Sequence, residues 1–313
     1  MIGMPGKSCR GSPPPPSPAE RELRDVLRGH VEMLAGEIGD RNTQRPAALA
    51  RAADYIGRAV ADAGYEVRRQ CYEVDGVRCT NLEAELAGGG RSRGVFVLGA
   101  HYDSVAGCPG ANDNATGVAA VLALARRLRG RAFDGTVRFV LFANEEPPYF
   151  RTPLMGSYVY ARNCRRRGDE IAGMMSLETI GFYSDAPGSQ RYPFPLGAFY
   201  PAAGDFIAFV GNLSSRGLVR RVVGAFRARC RFPSEGAALP GFVPGVRWSD
   251  HWAFWKHGYR ALMATDTAPF RYPWYHTPED TPDKVDYDRT ARVTEGLARV
   301  VEDLAGPNRQ LGR

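Results

Sequence analysis

Histidines and acids in this 313-residue chain stand where short apolar runs of strand length end. His101 and Asp103 follow the run at 95–100, Glu145 and Glu146 follow 137–143, and Glu178 follows 174–177. Asp113 lies in the loop after the first run, and His276 in the loop after 261–265. In open α/β sheets the loops beyond the carboxyl ends of the strands converge on one crevice, where ligands bind. Carboxylates gathered there with nothing positive between them repel one another and are costly to desolvate, so a divalent cation is their natural counterion. Any one of these acids alone is explained as well by a helix cap, a loop amide or solvation. The set at successive strand ends is not.

The donors mix nitrogen and oxygen without a thiolate, which suits zinc in a hydrolytic site with bonds of about 2.0–2.2 Å. His101, Asp113, Glu146, Glu178 and His276 are more donors than one catalytic zinc uses. Two ions about 3.5–4 Å apart share such a set when one carboxylate bridges them. Successive residues leaving a strand point to opposite sides. Of Glu145 and Glu146, one can therefore bind metal while the other faces the substrate. A carboxylate left free beside the metal can take a proton from water, whose pKa the ion lowers toward ~7, so one of the pair is the expected general base. Asp103, two residues beyond His101, can turn back and accept the other N–H of that imidazole, or form an Asx turn.

The elements that must carry these residues follow from apolar spacing. Leu23, Val26, Leu27, Val31 and Leu34 recur at helical intervals, as do Leu49, Ala52, Ala53, Ile56 and Val60, which predicts two helices before the first strand. Beyond them, strands over 95–100, 137–143, 174–177, 206–210 and 261–265 alternate with helices over 117–128, 155–165, 218–229 and 252–256. A closing helix carries Val293, Leu297, Val300 and Leu304. Such alternation predicts an α/β fold, a three-layer α/β/α sandwich with a central mixed, mostly parallel twisted sheet. A single catalytic domain over 20–306 is expected between a disordered Pro-rich tail, 1–19, and a second tail, 307–313. Long connections at 182–205, 231–249 and 266–281 are rich in Tyr, Phe and Trp, and read as packed surface loops or pocket walls.

Composition excludes other classes. With 44% hydrophobic residues the chain is not disordered over most of its length, and no run approaches the ~18–20 apolar residues of a membrane span. The formal charge of +7 comes from scattered arginines with short clusters such as 165–167, so nucleic acid is not an expected partner. Cys9, Cys71, Cys79, Cys108, Cys164 and Cys230 include no CxxC pair. The first residues lack the ~7–15-residue apolar segment of a secretory signal, so the chain as given reads as cytoplasmic, or as periplasmic or secreted if a leader precedes it. Ser249, Asp250 and His251 are consecutive and cannot converge as a catalytic triad, and no GxSxG follows a strand. Asp250 and His251 are expected to support the site or cap a helix.

Six segments resemble the co-catalytic zinc aminopeptidases of the bacterial leucine-aminopeptidase type, to which glutamate carboxypeptidases and glutaminyl cyclases are related. They are GAHYDSV (99–105), PGANDNATG (109–117), ANEE (143–146), SLETIG (176–181), SDHWAFW (249–255) and YHTPEDT (275–281), in the family's order. The resemblance implies a zinc-exopeptidase-like fold and two zinc ions: His101 and Glu178 on one, Glu146 and His276 on the other, Asp113 bridging. It implies Glu145 as general base, Asp103 as the acid orienting His101, and Tyr275 as a hydrogen-bond donor to the tetrahedral intermediate. Glu178 departs from the Asp often found at its position, and Pro147 and Pro148 replace a small, Gly-containing segment. The implied substrate is a peptide with a free N-terminus. A single-zinc glutaminyl-cyclase-like acyltransferase and a non-catalytic binding domain are the alternatives; Asn114 after Asp113 and the two intact histidines fit the two-metal peptidase branch better.

Overall fold

The computed structural model describes residues 3–11, 14–90 and 94–306; the tail expected at 307–313 lies outside the described residues. Helix α1 (Pro18–Val31) begins at a reciprocal cap. The Ser17 hydroxyl accepts the Glu20 N–H at 3.2 Å and the Glu20 carboxylate accepts the Ser17 N–H at 2.7 Å, which satisfies two amides that a helix start leaves free. A π-helical stretch, Glu32–Ile38, leads on to α2 (Pro46–Asp62). Strands β1 (Arg68–Val74), β2 (Val77–Leu86) and β3 (Val95–His101) follow, then α3 (Thr116–Leu128), β4 (Thr136–Phe142), α4 (Gly156–Arg167) and β5 (Ile171–Glu178). The chain closes with β6 (Ile207–Gly211), α5 (Arg216–Arg229), β7 (Ser234–Ala238), α6 (His251–Lys256), β8 (Ala261–Thr265), α7 (Ala268–Arg271) and α8 (Tyr287–Ala305).

One eight-stranded sheet runs in the order β1-β2-β4-β3-β5-β8-β6-β7. Its centre, β4-β3-β5-β8, is parallel; β2 is antiparallel to β4, and β6 is antiparallel to β8. Three strands, β1, β2 and β7, escape apolar spacing. Two helices do precede the first strand, but that strand is β1 and not β3: the β1–β2 hairpin comes between, β1 is an edge strand that buries only Val74, and its sequence carries little apolar alternation. Strand β7 lies within the connection read as a loop; Ser-Glu-Gly-Ala-Ala has low β propensity and is held by pairing with β6.

Period-two alternation sorts the strand side chains onto two faces. Leu98, Ala100, Met175, Leu177, Ile207 and Phe209 join the core under α1, α2, α3, α5 and α8. Val97, Val140, Phe142 and Met174 face α4 and α6, where Phe142 meets the Tyr160 and Phe254 rings edge-on at 5.7 and 6.3 Å. Gly99 lies under the Phe142 ring, and a side chain there would strike that ring and the Val140 carbonyl. On the α4–α6 face, β6 and β7 are covered instead by loops: Leu196, Tyr200 and Val243 pack on Ala237, Leu239 and Val246. The Pro-rich segment makes contacts of its own. Pro5 and Gly6 carbonyls accept from Arg227 of α5, and the Ser8 hydroxyl accepts the Ser234 N–H at 2.9 Å.

Candidate metal centre

His101 ends β3 with no exposed surface. Its Nε2 stands 3.3 Å from Asp113 Oδ1 and 3.5 Å from Glu178 Oε2, at the end of the neighbouring β5. His276 Nε2 stands 3.1 Å from Asp113 Oδ2 and 3.3 Å from Glu146 Oε2. Each oxygen of Asp113 therefore faces one imidazole. Two groups of ligand-type atoms result, His101–Asp113–Glu178 and Asp113–Glu146–His276, each within 4.8 Å of one another. His101 Nε2, Asp113 Oδ1, Glu146 Oε1, Glu178 Oε2 and His276 Nε2 are all buried without a hydrogen bond. Orphaned buried polar atoms are rare and costly, and five on residues of these two donor groups fit a pair of divalent ions.

Charge is balanced narrowly here. Burial pushes the Glu145 carboxyl well above its ordinary range, and Glu178 and Glu146 add to this against the pull of His101. Burial and Asp113 raise Glu146 to about 7, with His276 opposing. Burial works against a charged His276, yet Asp113 and Glu146 hold it up at about 10. Glu145 is 5% exposed, and its Oε2 lies 4.0 Å from His101 Nε2.

The supports are backbone hydrogen bonds that sequence reading only partly anticipates. His101 Nδ1 lies 3.2 Å from the Asp103 carbonyl and 3.5 Å from its Oδ1. The Asp103 carboxylate also accepts the N–H groups of Glu145 and Glu146, each at 3.1 Å, and so fixes the turn that aims the two acids apart. Asn144, just before them, Thr179, just after Glu178, and His276 itself all have positive φ: 57°, 46° and 59°. For a β-branched Thr this conformation is strained, and such strain clusters at functional sites. Asn114 turns away from the donors; its amide bonds the Leu177 carbonyl at 2.8 Å and the Thr179 N–H at 3.1 Å, tying the Asp113 loop to β5.

Two contributors escaped the sequence reading. Asp280 grips the Asp113 loop through the N–H groups of Asn112 and Asp113; it lies in a quoted segment, but nothing in its spacing sets it apart from Glu279. Arg41 is fully buried and donates to carbonyls of Leu34, Gly39, Tyr102, Pro109 and Gly110; a lone Arg in a polar stretch gives no signal. The Ser249 hydroxyl meets Ser176 at 2.7 Å and His251 Nε2 meets the Val246 carbonyl at 2.8 Å, so no triad forms. Asp250 precedes α6 without capping it through its side chain. The Tyr275 ring stacks on His276 with centroids 3.9 Å apart, and Tyr275 and Glu178 border an open pocket.

Residues 81–301 match the model of Peptidase family M28. The chain belongs to this family. It is 37% identical over 291 residues to the uncharacterized protein YfbL of Escherichia coli, covering 90% of this chain and 88% of that one. The M28 fold is shared with a zinc aminopeptidase from Bacillus subtilis, at TM-score 0.71 and 15% identity, over 93% of this chain and 96% of that one. It is shared also with a glutaminyl cyclase from Fimbriiglobus ruber, at TM-score 0.65 and 23% identity, over 93% and 99%. Among the described residues, no helix is long and apolar enough to cross a membrane.

Proposed function

We propose that this M28 hydrolase is a two-zinc aminopeptidase that removes the N-terminal residue of peptides. The observation that carries the reading is the shared position of Asp113, whose two oxygens face two separate sets of donors. Glu178 and His101 would hold one ion, Glu146 and His276 the other, with Asp113 bridging. Zinc, when bound, supplies Lewis acidity toward a carbonyl and toward water. Glu145, buried and left outside both donor sets, takes the proton of the attacking water and passes it to the leaving amine. Asp103 keeps the His101 ring oriented and fixes the Glu145 amide. Tyr275, at the pocket border, donates a hydrogen bond to the oxygen that gains charge as the carbonyl is attacked. The pocket beside Glu178 receives the side chain of the residue removed.

The test is turnover of paired free and N-acetylated aminoacyl amides by zinc-loaded protein, with a chelated control. Chelator-sensitive cleavage restricted to free amines is expected. Cleavage of acetylated substrates, cyclisation of N-terminal glutamine, or bound zinc with no turnover of any amide would each overturn the reading.

A further inference from the structure

The pocket has a chemical direction. Strand pairing places Glu178 opposite Thr265, Thr265 opposite Ala208, and Ala208 opposite Glu235. These four residues form one row across β5, β8, β6 and β7, on one face of the sheet. Three inter-strand spacings separate its ends, about 14 Å. Between them the floor is low, because only Thr265 and Ala208 rise from it, and all four residues line the pocket. Two stacked aromatic pairs also line it: Tyr192 with Tyr200, centroids 5.8 Å apart, and Trp248 with Phe270, 6.3 Å apart. Among the described lining residues Glu178 and Glu235 are the only acids, and none is Lys, Arg or His. Glu178 faces His101 at one end, and Glu235 stands at the other with Arg227 3.6 Å away.

Glu235 is half-buried and accepts no hydrogen bond among the described residues. The Arg227 guanidinium is 3.6 Å away but is spent elsewhere: it donates to the Ser234 hydroxyl and carbonyl and to the Pro5 and Gly6 carbonyls. Burial pushes the Glu235 carboxyl up, Arg227 and Arg10 pull it down, and Asp205 pushes it up. An apolar occupant would desolvate this carboxylate further and leave it without a hydrogen bond, with only the 3.6 Å contact to Arg227. A guanidinium or ammonium on an apolar stem gives it a charge-assisted hydrogen bond and lies between aromatic faces that attract cations.

We infer that Glu235 is a specificity-determining residue and that the pocket selects peptides whose N-terminal residue is arginine or lysine. This rests on the aminopeptidase reading, with the removed residue lying from the metal end of the trough toward Glu235. Arginine is favoured over lysine, because its planar fork both pairs with a carboxylate and stacks on rings.

The experiment compares kcat/KM for arginyl, lysyl, leucyl and phenylalanyl p-nitroanilides in wild type and Glu235→Gln. The basic substrates are expected to exceed leucyl by about tenfold or more, and the arginyl-to-leucyl ratio to fall at least tenfold in the variant, as for loss of a buried charged hydrogen bond. A preference for leucyl or phenylalanyl, or a ratio unchanged by the substitution, overturns the inference while leaving the aminopeptidase reading intact. If zinc-loaded protein cleaves none of the four, that reading fails and calorimetry decides the pocket separately. n-Butylguanidine binding wild type more tightly than Glu235→Gln, with n-hexanol binding both alike, supports the cationic pocket; equal binding of n-butylguanidine to the two overturns it.

Discussion

Asp280 holds Asp113 by its backbone: Asp280 Oδ2 accepts the Asp113 N–H at 3.0 Å, while Oδ1 takes the Asn112 N–H at 2.8 Å and the Tyr272 hydroxyl at 2.7 Å. The proposed bridging carboxylate is thus aimed by a second carboxylate that touches none of the donor atoms. Asp280→Ala strands two buried amides, at roughly 1–3 kcal/mol each, so chemical denaturation should show a loss of about 2–5 kcal/mol. Zinc affinity, read by competition with a chelating dye, should weaken about 10–100-fold. Wild-type affinity in a folded variant would show that the loop is held by other contacts.

Glu145 and Glu146 are neighbours with separate proposed tasks, and paired substitutions distinguish them. Glu145→Gln keeps both donor sets intact and should bind zinc normally while losing turnover by about 10²–10⁴-fold, the ordinary worth of a positioned base. His276→Ala removes a donor and should lose bound zinc as well as activity. Elemental analysis beside rate measurements separates the two. Normal turnover in Glu145→Gln would remove it as the base.

The pKa shifts fix a pH signature for the chelated protein. In the metal-free fold His276 is held up at about 10 against an ordinary 6.5, and Glu146 at about 7 against 4.5. Both bind protons more tightly folded than unfolded. Their contributions to stability are therefore full below the unfolded values, and are lost as pH rises through about 7 for Glu146 and about 10 for His276. The melting temperature of chelated protein should fall between about pH 6 and pH 10. Zinc takes the place of the protons, so loaded protein should lose this slope, and zinc uptake at neutral pH should release protons. Calorimetry in buffers of different ionisation enthalpy reads that release directly. A chelated protein whose melting temperature stays level or rises over this range contradicts the assignment.

How much of this was legible in the sequence depended on burial. Strands β3, β4, β5 and β8 are buried on both faces and read as apolar runs, and His101 and Glu178 are the last residues of two of them. Sequence position alone therefore carried them to the site. The β1–β2 hairpin and β7 were not legible: the edge strand β1 buries only Val74, the interior strand β2 buries the polar Thr80, Asn81 and Glu83 among its apolar residues, and β7 takes its shape from β6. Glu235 was hidden for the same reason. Its place in the row with Glu178 depends on the register of four strands, which no local spacing encodes.

Arg41 tests the hidden support from the opposite direction to Asp280. It is fully buried between the π-helical stretch Glu32–Ile38, the Tyr102 turn and the Pro109–Gly110 turn that leads to Asp113, and burial draws its pKa down to about 10 while Asp103, Asp280, Asp113 and Glu146 hold it up. Five carbonyls accept from its planar fork, including that of Gly110 at 2.8 Å. Lysine offers three donors from one atom and cannot reach carbonyls on three separate segments. Arg41→Lys and Arg41→Met should therefore cost similar stability, about 3–5 kcal/mol by denaturation, as for a broken buried charge network. If lysine restores wild-type stability while methionine does not, the charge near the four acids matters and the fork geometry does not.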